Sequence, residues 1–181
     1  MLHTIMFTKV SGAWNDFVLI DNMKGELDVD KSRLAVVLCS RNFGVGADGL
    51  IVLEPSRNSS FFMLNYNADG SHGGMSGNGG RCAARYAFLN GIAGITMRFE
   101  SLSHMYEADV IGANVRLKMK EPAHQRFDLT VDVCGQSFIC HCIDTGSPHV
   151  VIFDPDAESR DVQGVGRAVR EHRMFAPKGR T

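Results

Sequence analysis

Short β-rich or apolar runs broken by turn residues fill most of this chain, and only three stretches carry a helical pattern, which narrows the possible folds considerably. The runs are "TIMFTKV", "DFVLID", "GLIVLE", "FFMLNYN", "ITMRFES", "MYEADVI" and "NVRLKMK", followed by "FDLTVDV", "QSFICHCID" and "VVIF". In "NVRLKMK", Val115, Leu117 and Met119 alternate with Arg116, Lys118 and Lys120, as in a strand with one wet face. Helices are predicted over "DKSRLAVVLCS" from Asp30 to Ser40, over "RCAARYAFL" from Arg81 to Leu89 with Gly91 as a stop, and over "VQGVGRAVREH" from Val162 to His172. Strands and helices do not alternate regularly, so an α+β fold with a mainly antiparallel sheet is expected in place of a doubly wound parallel one. Pro122 and the polar run "KEPAHQRFD" follow the plainest strand, and a domain boundary is predicted there, separating residues 1–121 from 122–181. The second piece is short of strands for independent stability.

At 181 residues and 44% apolar content the chain can bury a core. Nineteen basic side chains against twenty acidic ones leave a net charge of −1, too little to attract nucleic acid or an anionic membrane, so a small-molecule partner is expected. "MLHTIMFTKV" holds no apolar run long enough for a signal segment or a membrane span, and a cytoplasmic location is the expectation. Five cysteines without the dense spacing of a disulfide scaffold fit reduced thiols. Strand alternation in "SFICHCID" sends His141 to the face opposite Cys140 and Cys142, so these read as core strand residues and no metal site is expected.

Two segments are rich in glycine. "GVGADG", Gly44 to Gly49, matches G-x-G-x-x-G but follows a helix and enters a strand, the reverse of a dinucleotide fingerprint; it reads as a tight turn with Asp48 satisfying backbone amides. "SHGGMSGNGGRC", Ser71 to Cys82, sets its glycines directly before a helix, where free N–H groups can hold a carboxylate or phosphate. Ser76 stands at the mouth of that anion site. The nucleophile elbow G-x-S-x-G fails, because Asn78 holds its last place. Two readings of Ser76 stay open on composition: a turn or N-cap residue, which composition favours, and a group presented for chemistry. Asn15 in "WNDF" and Asn67 in "YNADG" are equally good turn formers, and His149 after Pro148 reads by itself as a structural strand residue.

Four segments in order, "SGAWNDFVLID", "RNFGVGADGL", "NYNADGSHGGMSGNGGRCAARY" and "DTGSPHVVIF", resemble the motifs of the diaminopimelate epimerase family, from about Phe7 to the end of the chain. The resemblance implies two similar lobes, each a barrel-like antiparallel sheet about a central helix, with substrate between them. It implies a pyridoxal-phosphate-independent, two-base conversion of L,L- to meso-diaminopimelate for lysine and cell-wall synthesis, with no cofactor. Removing an α-proton without an imine or metal sink needs groups that exchange protons near neutral pH, and cysteine thiols suit that task. By the resemblance, Ser76 occupies the position of one acid/base cysteine and His149 that of the histidine set against it. Asn15, Asn67, Gly77 and Asn78 match residues that contact the substrate's amino and carboxylate groups.

Three departures stand out. A serine hydroxyl has a much higher intrinsic pKa than a thiol, so Ser76 cannot form the resting thiolate–thiol pair. Family members also continue for roughly a hundred residues through a loop carrying the second acid/base cysteine, so the chain is expected to be a C-terminally truncated, inactive form. Ser147 stands where the family has Asn. Other outcomes consistent with the residues are a non-catalytic amino-acid-binding module and a related isomerase with another substrate. A homodimer or self-association through unpaired strand edges is expected, since the family's chain end returns to complete the first lobe.

Overall fold

The computed structural model describes residues 4–175. Its contacts divide the chain into two compact units, residues 1–119 and 120–181.

The first unit is built on seven strands that follow one another in the sheet in chain order: β1 (Thr8–Gly12), β2 (Asn15–Asp21), β3 (Gly49–Glu54), β4 (Phe62–Asn67), β5 (Thr96–Ser101), β6 (His104–Ile111) and β7 (Asn114–Lys118). Four neighbouring pairs are antiparallel, but β2–β3 and β4–β5 are parallel. A parallel neighbour needs a crossover, and a helix supplies each one. Helix α1 (Lys31–Cys39) links β2 to β3, and α2 (Gly77–Leu89) links β4 to β5. The expected strand "TIMFTKV" pairs only from Thr8 onward.

Strands β2 and β3 are buried on both faces, so their apolar runs are nearly continuous. Phe17, Leu19, Ile51 and Leu53 face the core shared with α2, while Val18, Ile20, Leu50 and Val52 pack against Ala35 and Cys39 of α1. Phe61, Phe99 and Tyr106 stack within the α2-side core, with ring centroids 4.9 and 5.7 Å apart. Helix α2 touches β1, β2, β3, β4, β6 and β7. The sheet therefore curls around it as a half-barrel. Small residues on the helix permit this: Gly79, Gly80, Cys82, Ala83, Ala84 and Ala87 are its buried positions. The β1–β2 turn puts positive φ on both Ala13 (51°) and Trp14 (66°), the arrangement of a type I′ hairpin, without the Asn-Gly pair that suits it.

The second unit is a three-stranded antiparallel sheet, ordered β10 (Pro148–Ile152), β9 (Gln136–Asp144), β8 (Ala123–Val133), with α3 (Val162–Glu171) and a 3₁₀ turn at Arg173–Phe175. Val131, Val133, Phe138, Cys140, Cys142, Val169 and Phe175 form its core. Cys140 and Cys142 point inward, and His141, on the other face, sits between the rings of Phe127 and Phe153. Cys134 lies in the β8–β9 turn, not in a strand, with φ of 51° beside Gly135 at 73°. Among the described residues no helix is long and apolar enough to cross a membrane.

Candidate functional site

Strand β4 leads into the glycine-rich segment through a series of fixed contacts. The Asn67 amide donates to Ser71 O at 2.9 Å, Tyr66 bridges to His72, and the Gly73 amide donates to Asn65 O at 2.8 Å. Met75 is buried against α2, and a Cβ at Gly80 would come within 2.5 Å of its Cε. Ser76 is the N-cap of α2: its φ and ψ are −93° and 119°, its Oγ accepts from Gly79 N at 3.0 Å, and its carbonyl accepts from Gly80 N at 2.8 Å. The helix thus begins at Gly77, four residues before the expected start at Arg81. Glycine is a poor helix former, but the N-cap bond and close packing against Met75 and Ile51 override that preference.

The amides of Gly77 and Asn78 find no acceptor among the described residues. They are the open donors of a helix N-terminus, where the macrodipole favours an anion. The Asn78 side chain is turned to Arg81, whose guanidinium donates to its Oδ1. Gly12 comes so near this first turn that a Cβ there would stand 3.0 Å from Asn78 O. Gly12 pairs with Asn15 across the hairpin, which brings Asn15 beside the helix terminus.

Asn15 is fixed from behind. Its Nδ2 donates to Asp48 Oδ2 at 2.7 Å, and the Asp16 amide donates to the same oxygen at 3.1 Å. Asp48 in turn donates its own amide to Asp16 Oδ1 at 3.1 Å, and Arg41 Nη2 bonds both carboxylates, at 3.0 Å to Asp16 and 2.8 Å to Asp48. Lys9 completes the cluster at 2.8 Å from Asp16. Bonds from Lys9 and then Arg41 hold the Asp16 carboxyl well below the usual carboxylate range. Asp48, expected to satisfy backbone amides, accepts from the Asp16 amide across the sheet, because β2 and β3 run parallel and their starts lie side by side. On the other side of β3, Gly49 pairs with Asn67, so Asn67 lies at the same end of the sheet. Asn67 Nδ2 donates to Ser71 Oγ at 2.9 Å, and Ser71 Oγ donates to Asp69 Oδ1 at 2.5 Å.

The first unit thus carries Ser76, Gly77 and Asn78 at the start of α2, Asn15 across from the Gly12 that packs on that first turn, and Asn67 at the end of the sheet where β3 starts. With Nδ2 of both Asn15 and Asn67 engaged inside the chain, each keeps its carbonyl oxygen as an acceptor. His149 belongs to the second unit, on β10 opposite Ile143, with Nε2 3.1 Å from Thr145 Oγ1. Burial pushes the thiols of Cys39, Cys82 and Cys140 up. Two features escaped the sequence reading. One is the Asp16–Arg41–Asp48 cluster, whose partners are far apart in sequence. The other is Asn65, for which a signal existed: it shares with Met63 an inward position of β4, where a polar residue needs a reason.

A groove of about 740 Å³ lies away from Ser76, between the free edges of β1 and β7, over Arg81, Arg85 and Tyr86 of α2.

The sequence model of diaminopimelate epimerase matches residues 7–125, which include every candidate residue of the first unit. The chain belongs to the diaminopimelate epimerase family. A diaminopimelate epimerase of Chlorobaculum tepidum is 41% identical over 173 residues, covering 94% of this chain and 65% of that protein. The diaminopimelate epimerase of a Hydrogenobaculum species is 36% identical over 188 residues, covering 97% and 68%. The chain therefore spans about two thirds of the length of the curated epimerases it matches. Among solved structures, a "probable proline racemase" from Agrobacterium radiobacter superposes with a TM-score of 0.65 at 15% identity, covering 93% of this chain and 55% of that one. A phenazine biosynthesis protein of the PhzF family from Bacillus anthracis gives 0.59 at 12% identity, covering 82% and 54%. These two likenesses show that this chain shares its fold with both proteins.

Proposed function

We propose that this chain supplies the amino-acid-binding lobe of a cofactor-independent diaminopimelate epimerase, with residue 76 at the proton-transfer position. The observation that carries the reading is that residue 76 is the N-cap of α2, directly before two amides without acceptors among the described residues. In this reading the substrate carboxylate rests on Gly77 and Asn78 N–H, where negative charge building up at the α-carbon is stabilised, and the ammonium meets the carbonyl oxygens of Asn15 and Asn67. A thiol in place of the serine would have its thiolate stabilised by the same amides. The family resemblance supports His149 as the residue that exchanges a proton at position 76. With a serine hydroxyl at position 76, the chain binds the amino acid and does not exchange its α-hydrogen. That makes a non-catalytic binding module the second reading, favoured by the bond from Gly79 N that commits Ser76 Oγ to capping. The unpaired edges of β1 and β7 support self-association of the chain.

The test is chemical and needs no turnover. In Ser76→Cys, the rate of iodoacetamide alkylation at position 76, followed by peptide mass mapping across pH 5 to 9, is expected to show a midpoint below that of an ordinary thiol, about 8.5. Adding His149→Ala is expected to shift that profile. Profiles of ordinary position in both variants would remove residues 76 and 149 from the proposed machinery. In a parallel arm, L,L-diaminopimelate incubated in deuterated water with the Ser76 chain is expected to keep its α-hydrogen, and exchange above a protein-free control would overturn the binding-only assignment.

A further inference from the structure

Asn65 is the one described residue whose buried side-chain polar atom, Oδ1, has no hydrogen-bond partner. It is only 6% exposed, sits opposite Ile51 in the β3–β4 pairing, and so shares the face of the sheet that Ile51 turns to the first turn of α2. Leucine has nearly the same outline and would carry no orphaned acceptor in this core, so an asparagine here is costly to bury. What it does in return is grip the segment that leads to Ser76. Its backbone carbonyl accepts from Gly73 N at 2.8 Å, and its side-chain Nδ2 donates to Gly74 O at 3.0 Å. The fit is close: a Cβ on Gly73 would meet Nδ2 at 2.6 Å, so only glycine allows the approach. The next residue, Met75, is a buried plug, and Ser76 follows. The chain entering α2 is thus held by a side-chain amide two residues before the cap and by a core side chain one residue before it.

We propose that Asn65 is a positioning residue: by holding Gly74 with its side-chain amide it fixes how the side chain at position 76 is presented to the N-terminus of α2. The inference rests on the reading of residue 76 as the proton-transfer position. It separates two quantities that a purely structural role would move together. Replacing Asn65 with leucine removes the donor to Gly74 O together with the orphaned acceptor; Gly74 is exposed, so its carbonyl can turn to water and the cost in stability is expected to be small. The presentation of residue 76 would nevertheless be lost.

The experiment compares Ser76→Cys with Ser76→Cys/Asn65→Leu and Ser76→Cys/Asn65→Ser in the 181-residue chain. Alkylation at position 76 is read by peptide mapping against pH, the exposed Cys134 thiol serving as internal reference in every sample. Thermal melting is recorded alongside. With Asn65 in place, the profile is expected to lie below the ordinary thiol range. Asn65→Leu is expected to move it up by about one pH unit, slowing alkylation at pH 6.5 about tenfold, with a melting temperature close to that of the Asn65 chain. Should the leucine variant fold poorly, Asn65→Ser, which cannot reach Gly74 O, reads the same shift. A depressed profile that ignores both substitutions, or one that shifts only in step with a lowered melting temperature, overturns the inference and leaves the proposed function standing. An ordinary profile already in Ser76→Cys overturns the proposed role of residue 76, and the role of Asn65 with it.

Discussion

In the first unit, a helix whose buried positions are glycine, alanine and cysteine is touched by six strands; in the second, α3 buries only Val169 against a three-stranded sheet. The two helices answer different packing problems. Small side chains let a curled sheet approach α2 closely from many directions, at the expense of helix propensity, whereas one apolar stripe on α3 suffices to cover one sheet face. The site follows from the same difference. A helix wrapped by a sheet can have a hairpin turn and a capping segment meet at its N-terminus, as the Gly12 turn and Ser76 do at α2.

The contrast can be broken at its core. Phe99 is fully buried between Phe61 and Tyr106, and Phe99→Ala is expected to destabilise the first unit by about 3–5 kcal/mol. Hydrogen exchange should show protection falling in β5 and β6; if β8 and β9 lose as much, the two cores are not separate. The matching change in the second unit, Val131→Ala, removes two buried methyl groups and is expected to cost about 2 kcal/mol, read at the amides of β8 and β9.

The first unit also carries the stronger acid sensitivity. Because the folded-state pKa of Asp16 is depressed, its contribution to stability is present above the unfolded value of about 3.9 and disappears as pH falls below that, towards the depressed folded value. Denaturant midpoints at pH 7 and pH 3 should therefore differ less in Asp16→Asn than in the parent chain. An equal difference would show that the Lys9–Asp16–Arg41 cluster does not govern acid lability.

The smallest expected effects lie in the two type I′ turns. Installing Asn-Gly through Ala13→Asn with Trp14→Gly relieves two left-handed residues and is expected to stabilise the first unit by about 1 kcal/mol. Cys134→Asn relieves one, beside a glycine already in place, and should give a few tenths of that, measured as a rise in melting temperature. A larger gain at Cys134 would reverse the ranking.

Much of the fold is legible in local pattern. Apolar alternation marked β7 and β9, the latter with Cys140 and Cys142 inside and His141 outside, and Asp30 before "KSRLAVVLC" announced the start of α1, whose Ser32 and Arg33 amides it caps. The motifs around Asn15, Asn67, Ser76 and His149 were likewise readable as a family pattern, and Ser76 as a cap residue.

What the sequence determined by itself was the succession of strands and three helices, since periodicity and capping depend on residues a few positions apart. The tertiary structure alone decided that α2 starts at Gly77, because four helical residues with glycine at three positions are held by packing that local propensity does not encode. It alone decided that β2–β3 and β4–β5 run parallel, that Asp48 reaches back thirty-three residues to orient Asn15, and that Asn65 grips Gly74. Each of these depends on chain segments that meet only after the sheet has closed around the helix, so their energies belong to contacts between segments and leave no trace in a short window of sequence.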